Sequence, residues 1–546
     1  MKKFLMLLLI VILATACAPT TSTSTTSLPT SISPTLQPAP TLQPTPTERE
    51  STLIVAFSRD PTTLDPAVYY EFEGQMVIDA VYEQLVTYME DENGKLTIVP
   101  KLAERWDVSS DYKEYTFYLR KGVKFHDGEP YNAEAQKLAY ERMASINAGP
   151  AFMISAYVDT MEVIDEYTLK INLNGSYPEY LDILAGFWCP SRAVSPKVVT
   201  DHTVDGDFAA DWFRENAVGT GPYKLESWTH GQQIVLVKNE DYWGGWAGSH
   251  FNKVIVKIVA EASTQRLLLE KGDIDAIIFP LTTEDAAALR TVPGVTVGGS
   301  PTNFMILMYL NTQVSPTKEL KVRQALVAAF DYETALNEIF KDTAVANSSP
   351  IPIGYAGYVE VKPKQDLEKA KQLLAEAGYP PEKLSLEIEF EEGNQTYRRV
   401  AEMFQSDLRS IGVDLSIREI TVGAAWDYLG GGPESGLQIF FDRYVPDNAD
   451  ALEIMAALWH TKYGVINFTF LNDPEIDTLL DQAMATADPA KRTPLLTEIN
   501  QKLLDDAVAV IIGQQVQLLA WQNSVGGVRV SNLMLWGFPA YEAYRQ

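Results

Sequence analysis

Apolar positions recur along this chain with two different spacings, and the two take turns. LIVAF at 53–57 is a continuous apolar run of strand length, followed by the Pro-marked turn RDPTTLDPA. That is the pattern of a strand ending at a turn. VIVKIVA at 254–260 is a second such run. Ser263 to Lys271 then reads as a helix stopped by Gly272, and DIDAIIF at 273–279 as a strand. Strand, helix and strand in this order form a β-α-β unit. Its strands are parallel, because the helix carries the chain back to the starting end of the sheet.

The second half repeats the alternation. Val322, Leu326, Ala329 and Phe330 share one face of a helix predicted over 320–330. Asp366 is placed to cap a helix with the stripe Leu367, Ala370, Leu373, Leu374 and Ala377, stopped by Gly378 and Pro380. LSLEIEF (384–390) alternates with period two. Tyr397–Ile411 turns Val400, Phe404, Leu408 and Ile411 inward as far as Gly412, and VDLSIREI (413–420) alternates again. A second α/β lobe is therefore predicted. The repetition is of architecture, without a fixed-period sequence repeat.

The roughly 500 residues from Ser51 onward exceed one hydrophobic core and call for two or three domains. A formal net charge of −28 repels phosphate backbones and argues against nucleic-acid binding. It also repels anionic lipid headgroups. No apolar run after the N-terminus is long enough for a transmembrane helix.

The N-terminus has its own logic. Lys2 and Lys3 precede an apolar run from Phe4 to Leu13, too short for a permanent span, and then Ala14, Thr15, Ala16 and Cys17. This resembles the bacterial lipobox, in which the cysteine is acylated and becomes the new N-terminus. It departs from that pattern in having Ala14 where Leu is usual. The Ser/Thr/Pro stretch that follows, to residue 50, has almost no apolar mass to offset its ordering entropy. It reads as a tether, reaching roughly 90 Å extended and roughly 30 Å as a coil. With Cys17 acylated, Cys189 in FWCPS has no partner for a disulfide and reads as a small buried hydrophobe.

Candidate chemistry is sparse. The five histidines, at 126, 202, 230, 250 and 460, show no helical zinc spacing, and there is no cysteine cluster. No metal or cofactor site is expected. The glycines of GTGPYKL lack the helix and Lys of a phosphate loop and suit a tight turn. Ser315-Pro316-Thr317-Lys318 fits the S-x-x-K nucleophile signature, but the companion S-D-N and K-T-G motifs are missing. With 72 Asp and Glu, no carboxylate pair stands out as a glycosidase couple. Aromatic clusters such as DYWGGW (241–246) and AAWDYLGGG (424–432) read as core, or as stacking surface for a ligand.

Six stretches combine these features in a fixed order. KLAERWDVS (101–109), LRKGVKFHDGEPYNAE (119–134), VGTGPYKLESW (218–228) and NEDYWGG (239–245) come first, then LKVRQALVAAFD (320–331) and DLEKAKQLLAEAGYP (366–380). Together they resemble the family 5 extracellular solute-binding proteins, the oligopeptide, dipeptide and nickel group that serves ATP-driven importers. The resemblance covers essentially all of 51–546. It implies a two-lobe periplasmic-binding-protein-like α/β fold of the class II type, with an extra domain inserted in the first lobe. The first lobe would take 51–88, 216–302 and 512–546, the extra domain 89–215, and the second lobe 303–511. The protein would be a monomer that does no covalent chemistry. It would hold its ligand between the lobes, outside the cytoplasm on a lipid anchor, and deliver it to membrane permease subunits. HDG and GTGPYKL would be fold-forming turns.

The resemblance also implies ligand contacts. In peptide-binding members a Trp lies upstream of a tryptophan-glycine stretch, and an Asp just before a Tyr pairs with the ligand's α-amino group. Trp426 matches the upstream Trp. In LQIFFDRYVPDNAD, Phe440 stands where the second Trp is expected, Arg443 directly precedes Tyr444, and Asp442 is one place early. The expected ligand-binding set is Trp426, Phe440, Phe441, Asp442, Arg443 and Tyr444. The expected ligand is a peptide, with an oligosaccharide as the alternative and nickel chelates and opines behind. A member of another class, an S-x-x-K acyl-enzyme or a glycosidase, is the more distant alternative.

Overall fold

Thr52–Phe57 is buried at every position, as its unbroken apolar run requires, and lies between two parallel neighbours, Lys253–Ile258 and Ala276–Ile277. The predicted β-α-β unit is therefore present, with helix Ala262–Lys271 as its crossover and Gly272 in the left-handed region at φ 76°. The computed structural model describes residues 49–90, 96–278, 281–379, 384–530 and 538–546. Cys17, nearly all of the 18–50 segment, Phe279 and Pro380 lie outside the described residues. The second predicted strand of the unit is shorter than its apolar run. Asp275 lies inside it, buried, where it receives Arg49 and Arg545, each at 2.7 Å, and the Ile54 N–H at 2.8 Å.

One sheet runs through the described chain. From one edge its order is Asp414–Ile420, Ser385–Glu391, Ile439–Tyr444, Val295–Leu310, Ala509–Gln522, Ala276–Ile277, Thr52–Phe57, Lys253–Ile258, Gln233–Lys238 and Tyr223–Thr229. Two long antiparallel strands, Val295–Leu310 and Ala509–Gln522, carry the sheet from the first lobe to the second. Val295–Pro301 pairs with Val516–Gln522 beside the first lobe, and Met305–Tyr309 pairs with Ala509–Gln514 beside the second. The register breaks between Pro301 and Met305. There the Thr302 hydroxyl donates to Gln515 O at 2.9 Å, and Gln514 Nε2 donates to Thr302 O at 2.5 Å. Side chains thus replace ladder bonds where the two strands pass from one lobe to the other.

The second lobe follows its sequence pattern closely. The Asp366 carboxylate accepts the Lys369 N–H at 2.8 Å and starts helix Leu367–Glu376. Helix Gln395–Ser410 connects Ser385–Glu391 to its parallel neighbour Asp414–Ile420. Strand Ile439–Tyr444 shows the two-faced burial expected of period two. Ile439 and Phe441 enter one core with Val400, Phe404 and Leu408; Phe440 and Tyr444 enter another with Leu452, Met455 and Trp459.

Between Phe57 and Tyr223 the chain builds a separate four-stranded antiparallel sheet. Its order is Ala103–Val108, Glu114–Leu119, Thr168–Leu173 and Val158–Asp165. Its core is continuous with the first lobe's, since Tyr115, Phe117 and Tyr140 share one cluster with Leu53 and Val55. A buried ion pair fastens the two regions. Arg142 donates to both Asp65 oxygens at 2.6 Å and to Phe208 O at 2.8 Å.

The two glycine-bearing turns fold onto each other. His126 N–H donates to Gly219 O at 2.9 Å, and the His126 Nε2 is 3.0 Å from Gly221 O. Burial depresses the imidazole to about 4. A Cβ on Gly219 would stand 2.1 Å from Val81 O, and one on Gly221 2.4 Å from Ala80 O. These glycines permit close backbone approach. Among the described residues no helix is long and apolar enough to cross a membrane. Cys189 is buried with its Sγ 3.2 Å from Ser191 Oγ, and burial pushes the thiol up.

Candidate ligand-binding site

Ser385–Glu391, Asp414–Ile420 and Ile439–Tyr444 are parallel, so Glu391, Ile420 and Tyr444 all come out at one end of the sheet. Ligand crevices in α/β sheets form outside such carboxyl ends. Thr421 caps the next helix, Val422–Gly431, by accepting the Ala424 N–H at 3.2 Å. The helix hangs Trp426 over the strand ends. A cavity of about 200 Å³ results, lined by Glu391, Trp426, Phe440, Asp442, Arg443 and Tyr444 among others.

Five of the six sequence-predicted residues meet there. Trp426 is 51 % exposed and lies 6.2 Å from the ring of Phe468, which packs on Phe440 at 4.5 Å. Phe441 points to the other face of the sheet and stacks on Tyr397 at 4.0 Å; it does not line this cavity. Burial pushes the Asp442 carboxyl up to about 6, opposed by the Arg443 N–H and the Arg443 charge and reinforced by Glu391. The Arg443 guanidinium lies 5.6 Å over the Phe304 ring and makes no ion pair with a described carboxylate. The Tyr444 hydroxyl donates to Glu453 at 2.5 Å, so its ring, rather than its hydroxyl, is left for a ligand.

A larger cavity of about 460 Å³ adjoins residues of both lobes. Gln75, Asp79, Phe187 and Arg192 come from before the crossing strands, Asn303 from within them, and Asp447 from after. Asp79 accepts from Arg192 at 2.6 Å and Gln75 at 2.8 Å through the same oxygen, and burial pushes its carboxyl up. An aromatic chain relates the two cavities. Arg443 covers Phe304, Phe304 meets Phe72 at 5.9 Å, and Phe72 meets Phe187 at 6.0 Å. Sequence reasoning did not anticipate these residues. The stretch YYEFEG (69–74) is dense in aromatic and acidic side chains, yet its loop has no period to betray which of them face a cleft.

The lobes touch across the cleft. Tyr70 donates to Asp447 at 2.8 Å, Phe187 N–H to Asp447 O at 3.4 Å, and Ala449 N–H to the Tyr88 hydroxyl at 3.3 Å. Ser315 and Lys318, the S-x-x-K pair, are exposed on the turn before helix Leu320–Ala329 and line neither cavity. Among the described residues no three or more His, Cys, Asp or Glu are grouped to hold a metal ion.

Two α/β lobes joined by two crossing strands, with one cavity where they meet and a second in the wall of the second lobe, define a solute-binding protein of the periplasmic type. The profile of the bacterial extracellular solute-binding proteins, family 5, matches residues 97–464, and the chain belongs to that family. Such proteins work outside the cytoplasm, capturing a solute for an ATP-driven importer. The chain is 32% identical over 490 residues to the probable D,D-dipeptide-binding periplasmic protein DdpA of Escherichia coli K12, covering 88% of this chain and 92% of that one. It is 26% identical over 495 residues to the glutathione-binding protein GsiB of Pectobacterium atrosepticum, covering 89% and 93%. Among solved structures, the periplasmic binding protein DppA of Helicobacter pylori in complex with the peptide STSA matches with a TM-score of 0.74 and 25% identity, over 91% and 99% of the two chains. HbpA2 of Haemophilus parasuis shares the fold with a TM-score of 0.80 at 24% identity, over 91% and 100%.

Proposed function

We propose that this solute-binding protein captures a short peptide between its lobes and hands it to membrane permease subunits. The observation that carries the reading is Asp442, a carboxylate in the wall of a cavity otherwise rich in aromatic rings. A ligand ammonium group forms a charge-assisted hydrogen bond with such an oxygen. The adjacent Arg443, with no described ion pair, offers a complementary site for a ligand carboxylate. Opposite charges side by side suit a zwitterion. The names of the dipeptide- and glutathione-binding relatives, and the peptide bound in the H. pylori protein, lend weight to this class. The half-exposed Trp426 also suits a sugar face, which keeps an oligosaccharide as the second reading.

The proposal extends to the rest of the chain. The first lobe comprises 51–88, 216–302 and 512–546, the inserted domain 89–215, and the second lobe 303–511. The protein acts as a monomer and does no covalent chemistry, in keeping with the exposed position of Ser315 away from both cavities. Cys17 carries a lipid, and residues 18–50 tether the body above the outer face of the cell membrane. The deciding experiment is a thermal-shift panel of di- to pentapeptides against oligosaccharides. A ligand at a hundred times its dissociation constant stabilises by about 2.7 kcal/mol. Peptides should raise the melting temperature and Asp442→Asn should remove the shift. A shift with sugars alone, lost in Trp426→Ala and kept in Asp442→Asn, would replace the peptide with a saccharide.

A further inference from the structure

We propose that the two lobes share a proton-linked latch, so that the closed form is favoured as the medium turns acid; this rests on the reading that the lobes part and close around a ligand. Glu179 and Asp182 stand at the start of helix Tyr180–Ala185, which packs into the first lobe's core. Asp447 and Asp450 follow strand Ile439–Tyr444, and Glu453 lies on helix Ala451–Trp459 of the second lobe. Tyr88 ties the two sides together. Its hydroxyl accepts the Ala449 N–H at 3.3 Å and donates to Asp182 at 2.8 Å.

Five carboxyl groups thus gather where the lobes meet. Arg492 is the cation that faces them, 3.1 Å from Asp450. The remaining titratable neighbours are tyrosines that burial keeps neutral: Tyr115, Tyr157 and Tyr177 around Glu179, and Tyr70, Tyr355 and Tyr444 around Asp447 and Glu453. Buried oxygens Oε2 of Glu179 and Oε2 of Glu453 have no hydrogen-bond partner. Glu179, Asp182, Asp450 and Glu453 line neither cavity, and the described residues hold no metal-binding group. A proton is therefore the species that neutralises the excess charge.

Burial, with the facing Asp450 charge, pushes Glu179 up to about 7 and Asp182 up to about 6. Burial pushes Glu453 well above the carboxylate range, with Asp447 adding to it. When the lobes part about the crossing strands, Glu179 and Asp182 leave with one lobe and Asp450 and Glu453 with the other. Glu179 and Asp182 then regain water, lose the facing Asp450 charge and return to their ordinary values. The closed form then binds protons that the open form releases, and closing strengthens as pH falls from about 7 toward the ordinary carboxyl range.

Small-angle scattering of the full-length chain without added peptide, at about pH 8 and about pH 5.5, tests this. The radius of gyration should fall at the lower pH, with the closing equilibrium shifted at least about tenfold, the effect of a single carboxyl moved by one unit. Glu179→Gln/Asp182→Asn, which mimics the protonated pair, should be compact at both pH values. Glu179→Gln alone provides the same readout if the double variant does not fold. A wild-type radius that does not change with pH, or a neutralised variant that keeps the full pH response, overturns the proposal. Failure of the peptide panel would leave this measurement standing, so the two readings fail separately.

Discussion

The Tyr70 hydroxyl donates to the Asp447 carboxylate at 2.8 Å, across 377 residues of chain. One residue belongs to the loop after the first strand and the other to the loop after the last parallel strand of the second lobe. Tyr70→Phe removes this bond without disturbing either core. A partly exposed hydrogen bond is worth about 1 kcal/mol, so affinity for a peptide identified in the thermal-shift panel should fall about fivefold by calorimetry. The melting temperature of the ligand-free protein should stay unchanged.

Asp442 sets the pH dependence of peptide capture from the opposite side to the latch. With its carboxyl pushed up to about 6, it loses charge as pH falls through that value. An ammonium ligand then loses its partner, about tenfold in affinity per pH unit once the group is protonated. Calorimetric titration from about pH 8 to about pH 5 should show the affinity advantage of wild type over Asp442→Asn shrink below the midpoint, since the latch acts on both proteins. Asp442→Asn should be weak throughout, with about 2–5 kcal/mol lost at high pH.

Arg142 and Asp65 are each 1 % exposed at the side chain. Removing one partner strands a charge in the core that joins the four-stranded sheet to the first lobe. Asp65→Ala should destabilise the protein by about 3–5 kcal/mol in urea denaturation. Replacing both residues with apolar ones should cost less than the single change.

Gly219→Ala would place a methyl group 2.1 Å from Val81 O. The contact is with backbone, which cannot swing aside. A loss of at least about 1–3 kcal/mol in stability is expected, measured by thermal unfolding. Gly128→Ala, with nothing within 4 Å of its Cβ, would cost only the strain of its φ of 94°.

Cys17→Ser should release the protein from membranes in a cell-fractionation assay while leaving peptide affinity unchanged. Retention of that variant in the membrane fraction would remove the lipid anchor from the proposal.

Much of the architecture could be read from the chain. Asp366, Gly272 and the two-residue alternation of 384–390 and 413–420 are local signals, written in contacts no more than a few residues apart, and each appears where the pattern puts it. Three of the predicted contacts, Phe440, Asp442 and Tyr444, line one cavity because alternation along Ile439–Tyr444 puts them on one face. The same alternation sends Phe441 to the other face, against Tyr397. A short apolar run leaves open which of two buried faces a residue will take.

The cleft itself is a different matter. Strand periods, helix caps and turn glycines follow from residue type and spacing along the chain. The meeting of Tyr70 with Asp447, of Tyr88 with Asp182 and Ala449, and of Glu179 with Asp450 does not. Apart from Tyr88, on the strand Val86–Glu90, these residues sit in loops or in the first turn of a helix, where periodicity constrains direction weakly, and hundreds of positions can separate partners. Only when the two crossing strands set one lobe against the other do their charges share a space poor in water. The raised proton affinities of Glu179 and Asp182 are consequences of that enclosure.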